Sequence, residues 1–340
     1  MTEKQLIELL AQFEPRLRDA ILDGIRRLRD EALLVEVIRM IEQNNVDGVL
    51  RALGLNPAVF NSFYFVLAQT FEAGGMALIA GLPKHVTDAT GVRSMIRFNV
   101  RDRDAEQWLA TRSSQRVVEI EEDVRQAVRD ALQRGMREGR NPRNVALDLV
   151  GRVNRQTGRR EGGTVGLTGS QLRWVDSVRQ KLLTLDESYF EMGLRPSRFD
   201  QVVREAVTSG KPLNAETVDK LVGLYADNAL KYRGEQIGRT EALSALNRGE
   251  YEAIKQAALR NGRPLSAIRK VWDSAGDGRV RDSHRALDGQ SVGLDEPFVS
   301  PVTGARMLHP HDQSLDAPAR EIVGCRCRIR YEIDFAAGVT

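Results

Sequence analysis

Cysteine and histidine are scarce in this 340-residue sequence, which has two of the first and four of the second. Two thiols one residue apart cannot build the disulfide framework of a small secreted fold, and they fit a reducing compartment. Aromatic residues make up only 6% of the chain, and the arginine-rich stretch from Arg125 to Arg160 has none to stack bases, which weakens a single-strand-binding reading of that stretch. No apolar run approaches the roughly 20 residues that span a bilayer. Met1-Thr-Glu-Lys-Gln5 lacks the charged, apolar and cleavage regions of an export signal. The expectation is a protein made in the cytoplasm without a membrane partner. Also missing are a glycine loop running into lysine, which would cradle phosphate, and a Gly-x-Ser-x-Gly nucleophile elbow.

Charge is balanced, at +3 net, too little to imply nucleic-acid binding by itself. Its distribution says slightly more. Between Arg125 and Arg160 ten arginines face only Asp130, Glu138 and Asp148, a segment able to touch the phosphates of DNA or an acidic protein surface. A solvated helix face beside a flexible linker accounts for the same letters.

Most of the first 260 residues have helical periodicity. Leu17, Ile21, Ile25 and Leu28 fall on one helix face, and Leu33 to Ile41 continues in that style until Asn44-Asn45 offers a stop. Asn56-Pro57 and Asn141-Pro142 both read as helix starts, with proline at the first helical position. A long helix is expected from Asp104 to Arg137, and Phe98-Asn-Val100 reads as a short strand. Further helices are expected near 170–185, 199–208 and 215–260, the last capped by Asn214. Beyond Asn261-Gly262 the style changes to short alternating runs, Ile268 to Trp272 and Ile329 to Ile333, broken by glycine, aspartate and proline. Those are strand signals, with Gly276-Asp-Gly278 a tight turn. The expected fold is therefore mainly α, a helical N-terminal body with a small C-terminal α+β module. Its parts are a helical domain 1–155, a linker or hinge 156–170, a helical part 171–262 and a Cys/His module 263–335.

Both cysteines and three of the histidines lie in that last module. In extended chain Cys325 and Cys327 project to the same side and can reach one object. Tetrahedral zinc needs four such ligands, and His284 and His309 are the natural other pair, with His311 in reserve. A structural zinc there would stabilise a unit too small for a large core. Two reduced cysteines packed as small apolar residues, beside hydrogen-bonded histidines, are the plainer alternative. A catalytic zinc keeps an open position and a nearby base, for which Asp282 or Asp312 could serve; two histidines plus two cysteines would close the shell. Asp273 to Gly278 superficially resembles a calcium loop, but Ala275 and His284 stand where ligands belong. Arg239 and Glu241, inside a helix, fit a buried ion pair that fixes helix packing.

Taken in order, Ile237-Gly-Arg-Thr-Glu241, Asn247, Trp272, Arg281-x-x-His284, Asp288-Gly289, His309-Pro310 and Cys325-Arg-Cys327 resemble the Mu F-like head morphogenesis (minor capsid) proteins of tailed phages. The likeness runs from Leu167-Thr-Gly-Ser-Gln171 to Tyr331. It implies a role in virion assembly by protein–protein contact rather than turnover, with portal and capsid proteins as partners, typically at the portal vertex and in some members in DNA delivery. It implies the host cytoplasm during assembly and then the virion as locations. The rival reading is a zinc-dependent hydrolase or nuclease using His284, His309 and Asp312. An ADP-ribosyltransferase-like fold around Arg239 and Glu241 is weaker, because the Ser-Thr-Ser and Glu-x-Glu elements of such enzymes are missing.

Overall fold

The computed structural model describes residues 1–87, 93–260 and 262–333. The chain is 63% helical, with few and short strands, so the mainly α expectation with a small α+β end holds. In chain order the helices are α1 (Glu3–Asp30), α2 (Leu34–Glu42), α3 (Val46–Ala52), α4 (Asn61–Ala80), α5 (Arg103–Arg137), α6 (Pro142–Val150), α7 (Gly169–Thr184), α8 (Asp200–Ser209), α9 (Ala215–Arg260), α10 (Asp282–Arg285) and α11 (Ala319–Ile322). The helix-start signals act as expected of short polar side chains. Asn141 accepts from the Arg143 amide and Asn214 from the Thr217 amide, each satisfying a donor that the first helical turn leaves open. Asn44 ends α2 in the left-handed region at φ 50°, and Asn45 then caps α3. Thr168 and Gln171 close a reciprocal capping box on α7.

Contacts divide the chain into two compact units, neither continuous in sequence. One comprises Ala20–Asn61 and Ser114–Gly234; the other comprises Met1–Asp19, Ser62–Ser113 and Glu235–Thr340. The expected domains, by contrast, follow one another along the chain.

In the first unit α2 packs on α3 and α6. The glycine- and threonine-rich stretch expected as a linker forms a hairpin, β3 (Arg152–Val153) with β4 (Arg160–Glu161), followed by the fully buried Val165 and Leu167. Buried Arg29 holds this stretch in place by donating to the Gly163 and Val165 carbonyls while pairing with Asp227. Gly162, at φ +80°, lies so close to Gly223 that a Cβ would stand 2.7 Å from the Gly223 Cα. Only glycine fits both the backbone conformation and that approach.

In the second unit α4 crosses the C-terminal part of α9 at very short range, because Gly74 and Gly249 leave no side chain between the helices. Pro57–Ala80 is long and apolar enough, by length and composition, to cross a membrane, a feature that run length in the sequence did not flag. Its Phe63, Leu67 and Phe71 are buried inside the protein. A two-stranded ribbon, β1 (His85–Thr87) with β2 (Arg93–Met95), follows α4. Phe98 to Val100, expected as a strand, is irregular. The amide of Gln256 both donates to and accepts from the Asn99 backbone, taking the place a neighbouring strand would fill.

After α9, Asn261 lies outside the described residues, and Gly262 continues at φ +64°. The sheet has the order β6-β5-β9, all antiparallel: β6 (Ser291–Gly293), β5 (Ile268–Asp273) and β9 (Arg328–Ile333). A small ribbon, β7 (Phe298–Val299) with β8 (Arg306–Met307), completes the module. Where Gly276 to Gly278 predicts a turn, one does form, the Val280 amide donating to the Asp277 carbonyl at 3.1 Å, but it closes no two-residue hairpin, since β5 pairs with the distant β6 and β9. The loop is instead fastened by Asp277, which forms a two-pronged pair with Arg326.

Candidate metal centre

The module's core is built on Trp272 of β5, with Leu287, Phe298, Met307, Ile322, Cys325, Cys327 and Ile329 around it. The Trp272 ring meets Phe298 and His284 edge-on, each with centroids 5.2 Å apart. His284 sits on the single turn of α10. Arg281, just before that turn, donates to the Arg320 and Val323 carbonyls, so α10 is tied to the end of α11. That tie places Glu321 beside His284. Gly324, at φ +69°, then turns the chain into Cys325. Asp288 accepts from the Ser274 amide, and the Gly289 amide donates to the Trp272 carbonyl at 2.9 Å; together they fix the return of the chain to β6.

The cysteines precede β9 rather than lying on it, yet burial alternates along the chain there. Cys325 and Cys327 turn inward while Arg326 between them reaches out to Asp277. His284 Nδ1 lies 3.4 Å from Cys325 Sγ and 3.5 Å from Cys327 Sγ. Ligand atoms of all three residues fall within 4.8 Å of one another, and all three residues are buried. The other ring nitrogen, Nε2, is 3.1 Å from Glu321 Oε2, and Ser283 Oγ donates to the same carboxylate oxygen at 2.7 Å. The Cys327 amide donates to Cys325 Sγ at 3.3 Å. The two thiols are pushed apart in acidity. The Cys325 hydrogen bond and then His284 draw the Cys327 thiol down to about 5, whereas burial pushes Cys325 up.

His309, expected as the fourth member, is not in this set. It is fully buried with Nδ1 donating to the Pro310 carbonyl at 2.9 Å, its ring centroid 6.2 Å from that of Tyr251. Burial lowers its pKa to about 4, so it is neutral at pH 7. His311 comes nearer to the cysteines, but through the backbone: Nε2 donates to the Cys325 carbonyl at 2.9 Å, and Nδ1 faces the Asn247 amide at 3.4 Å. Asp312 Oδ2 accepts from the Leu308 amide and Oδ1 from the Ser314 amide, so both oxygens shape their own loop. Although burial opposes it, His309 and these amides hold the Asp312 carboxyl below its ordinary value.

On α9, Glu241 is fully buried in a bidentate pair with Arg112 of α5, at 2.7 and 2.8 Å. Arg112 also donates to Gln313 of the 300s loop. Arg239 is half-buried nearby in sequence. Sequence reasoning missed both Arg112 and Glu321. Arg112 is 129 positions from its partner, and Glu321 carries no motif of its own; its only sequence signal is closeness to Cys325.

Fold and site together define a small α+β module centred on a buried His/Cys/Cys cluster and packed on the end of a long helix. Residues 197–330 match the family model described as Phage Mu protein F like protein, so the likeness drawn from motif order is shown for this part of the chain. The minor head protein GP7 of Bacillus phage SPP1 is 32% identical over 96 residues, which cover 28% of each chain. The uncharacterized protein YqbB of Bacillus subtilis (strain 168) is 29% identical over 97 residues, 28% of this chain and 29% of that one. The matches thus span under a third of the length of these relatives. No solved structure matches the chain.

Proposed function

We propose that this chain is a minor head protein of a tailed phage, working by protein–protein contact in procapsid assembly at the portal vertex. The observation that carries the reading is the Mu F-like match over residues 197–330, joined by similarity to a relative named as a minor head protein. Portal and capsid proteins are the partners it names, and the virion, after assembly in the host cytoplasm, is its location. The hydrolase or nuclease alternative is not favoured, because His284 gathers with Cys325, Cys327 and Glu321, while Asp312 has both oxygens engaged by backbone amides.

DNA packaging or ejection would draw on the arginines between 125 and 160. Several of them pair with carboxylates: Arg125 with Asp47, Arg129 with Glu122, Arg134 with Asp176, and Arg140 and Arg152 with Asp148. Salt-dependent DNA affinity measures what charge remains for phosphates. Absence of binding at low salt removes DNA from the reading.

Deleting the gene from its phage should sharply reduce infectious particles, and the tagged chain should co-sediment with procapsids and with isolated portal. Normal titres from the deletion strain would overturn the reading.

A further inference from the structure

We propose that His284 Nδ1, Cys325 Sγ and Cys327 Sγ bind one zinc ion, with Glu321 as the carboxylate that orients His284 and with His309 taking no part. The two nitrogen–sulfur separations are those that a tetrahedral site requires. Zinc stands about 2.3 Å from sulfur and about 2.0–2.1 Å from nitrogen, which at tetrahedral angles sets those two atoms about 3.5–3.6 Å apart. The two nitrogen–sulfur separations here are 3.4 and 3.5 Å.

The surroundings fit as well. A metal-binding histidine almost always gives its second ring N–H to a carboxylate, which fixes the tautomer so that the other nitrogen carries its lone pair toward the metal. Glu321 Oε2 lies 3.1 Å from His284 Nε2 and is itself held by Ser283 Oγ. Here Nε2 is in charge contact with the carboxylate without the alignment of a hydrogen bond, and Nδ1 is the ring nitrogen that faces both sulfurs. The Cys327 amide also donates to Cys325 Sγ at 3.3 Å, which helps to fix the sulfur in place. Burial in the Trp272 core keeps the cluster from bulk water. The ion would join α10 to the segment leading into β9, with His284 and Cys325 41 positions apart and only short elements between them, and so stabilise the module. Three protein ligands leave one tetrahedral position. Glu321 could fill it only by releasing His284.

The test uses the untagged full chain, expressed with added zinc and dialysed, and it does not depend on the assembly reading, since metal content is measured without phage particles. Elemental analysis should give one zinc per chain, and cobalt substitution should give thiolate-to-cobalt charge-transfer absorption. Cys325→Ser, Cys327→Ser and His284→Asn should each abolish retention, whereas His309→Asn should keep it. Glu321→Gln should retain one zinc but bind it 10–100-fold more weakly. Circular dichroism checks that each variant is folded. A folded wild-type chain that leaves dialysis without zinc overturns the proposal. So does a folded His309→Asn variant that loses zinc as fully as His284→Asn, or a Glu321→Gln variant that binds as tightly as wild type.

Discussion

Lys270 shows how far a single side chain can be driven by its setting. It is fully buried on β5, with Nζ donating to the Leu308 carbonyl at 2.8 Å and lying 5.3–5.4 Å from the ring centres of Phe298 and Tyr251. Burial draws its pKa from the ordinary 10.5 down to about 8, against partial support from Asp295 and Asp312. Between those two values the unfolded chain binds the proton and the folded chain does not. Folding stability should therefore rise as pH climbs from about 8 toward 10.5. Urea denaturation of wild type and Lys270→Met across that window checks it. The variant should lose this component of the rise, and an identical slope in both proteins would show that Lys270 does not supply it.

Helices are tied together here by two opposite devices, close approach and buried charge. Where α4 meets α9, a Cβ at Gly249 would run into the Phe71 carbonyl and the Gly75 amide, both backbone groups that cannot swing aside. Gly249→Ala should destabilise the protein by about 1–3 kcal/mol or more, read from the urea midpoint. Between α5 and α9 the Arg112–Glu241 pair is almost wholly removed from water. Arg112→Met leaves the Glu241 carboxylate buried without its main cation and should cost about 3–5 kcal/mol, while the double variant Arg112→Met, Glu241→Leu should recover much of that loss. Equal losses in single and double variants would show that the cost is packing and not unpaired charge. The helices themselves follow from local sequence. Asn141, Asn214 and the Thr168–Gln171 box sit where short polar side chains satisfy open amides, so their starts are readable without any tertiary knowledge. Phe98 to Val100 is not readable in that way, because the group that satisfies its backbone is Gln256, 157 positions away.

Over the whole molecule the two compact units interleave along the chain, so neither is encoded by one continuous segment. The unit holding the Cys/His cluster also contains Met1–Asp19 and Ser62–Ser113. Leu78 and Phe98 pack with Tyr251, Ile254, Ile268 and Leu294 in one apolar cluster, and Leu6 packs with Leu243 and Leu246 in another. A fragment of residues 197–330, expressed alone, exposes those faces of α9 and should fail to give a cooperative unfolding transition by circular dichroism. A sharp transition from that fragment would show that the module and the end of α9 suffice as a folding unit.

What the sequence determined by itself were the longer helices, the starts marked by Asn141 and Asn214, the two long strands of the last module and the gathering of cysteine and histidine at one end. Each of these is written in neighbouring residues, as periodicity, a cap or a spacing. The tertiary structure alone decided which histidine meets the thiols, that Glu321 stands behind it, and that His309 is held elsewhere by Pro310. It also decided that the chain folds as two interleaved units. Those choices depend on contacts between residues tens to more than a hundred positions apart, where packing and burial select one partner among several that spacing alone leaves equal.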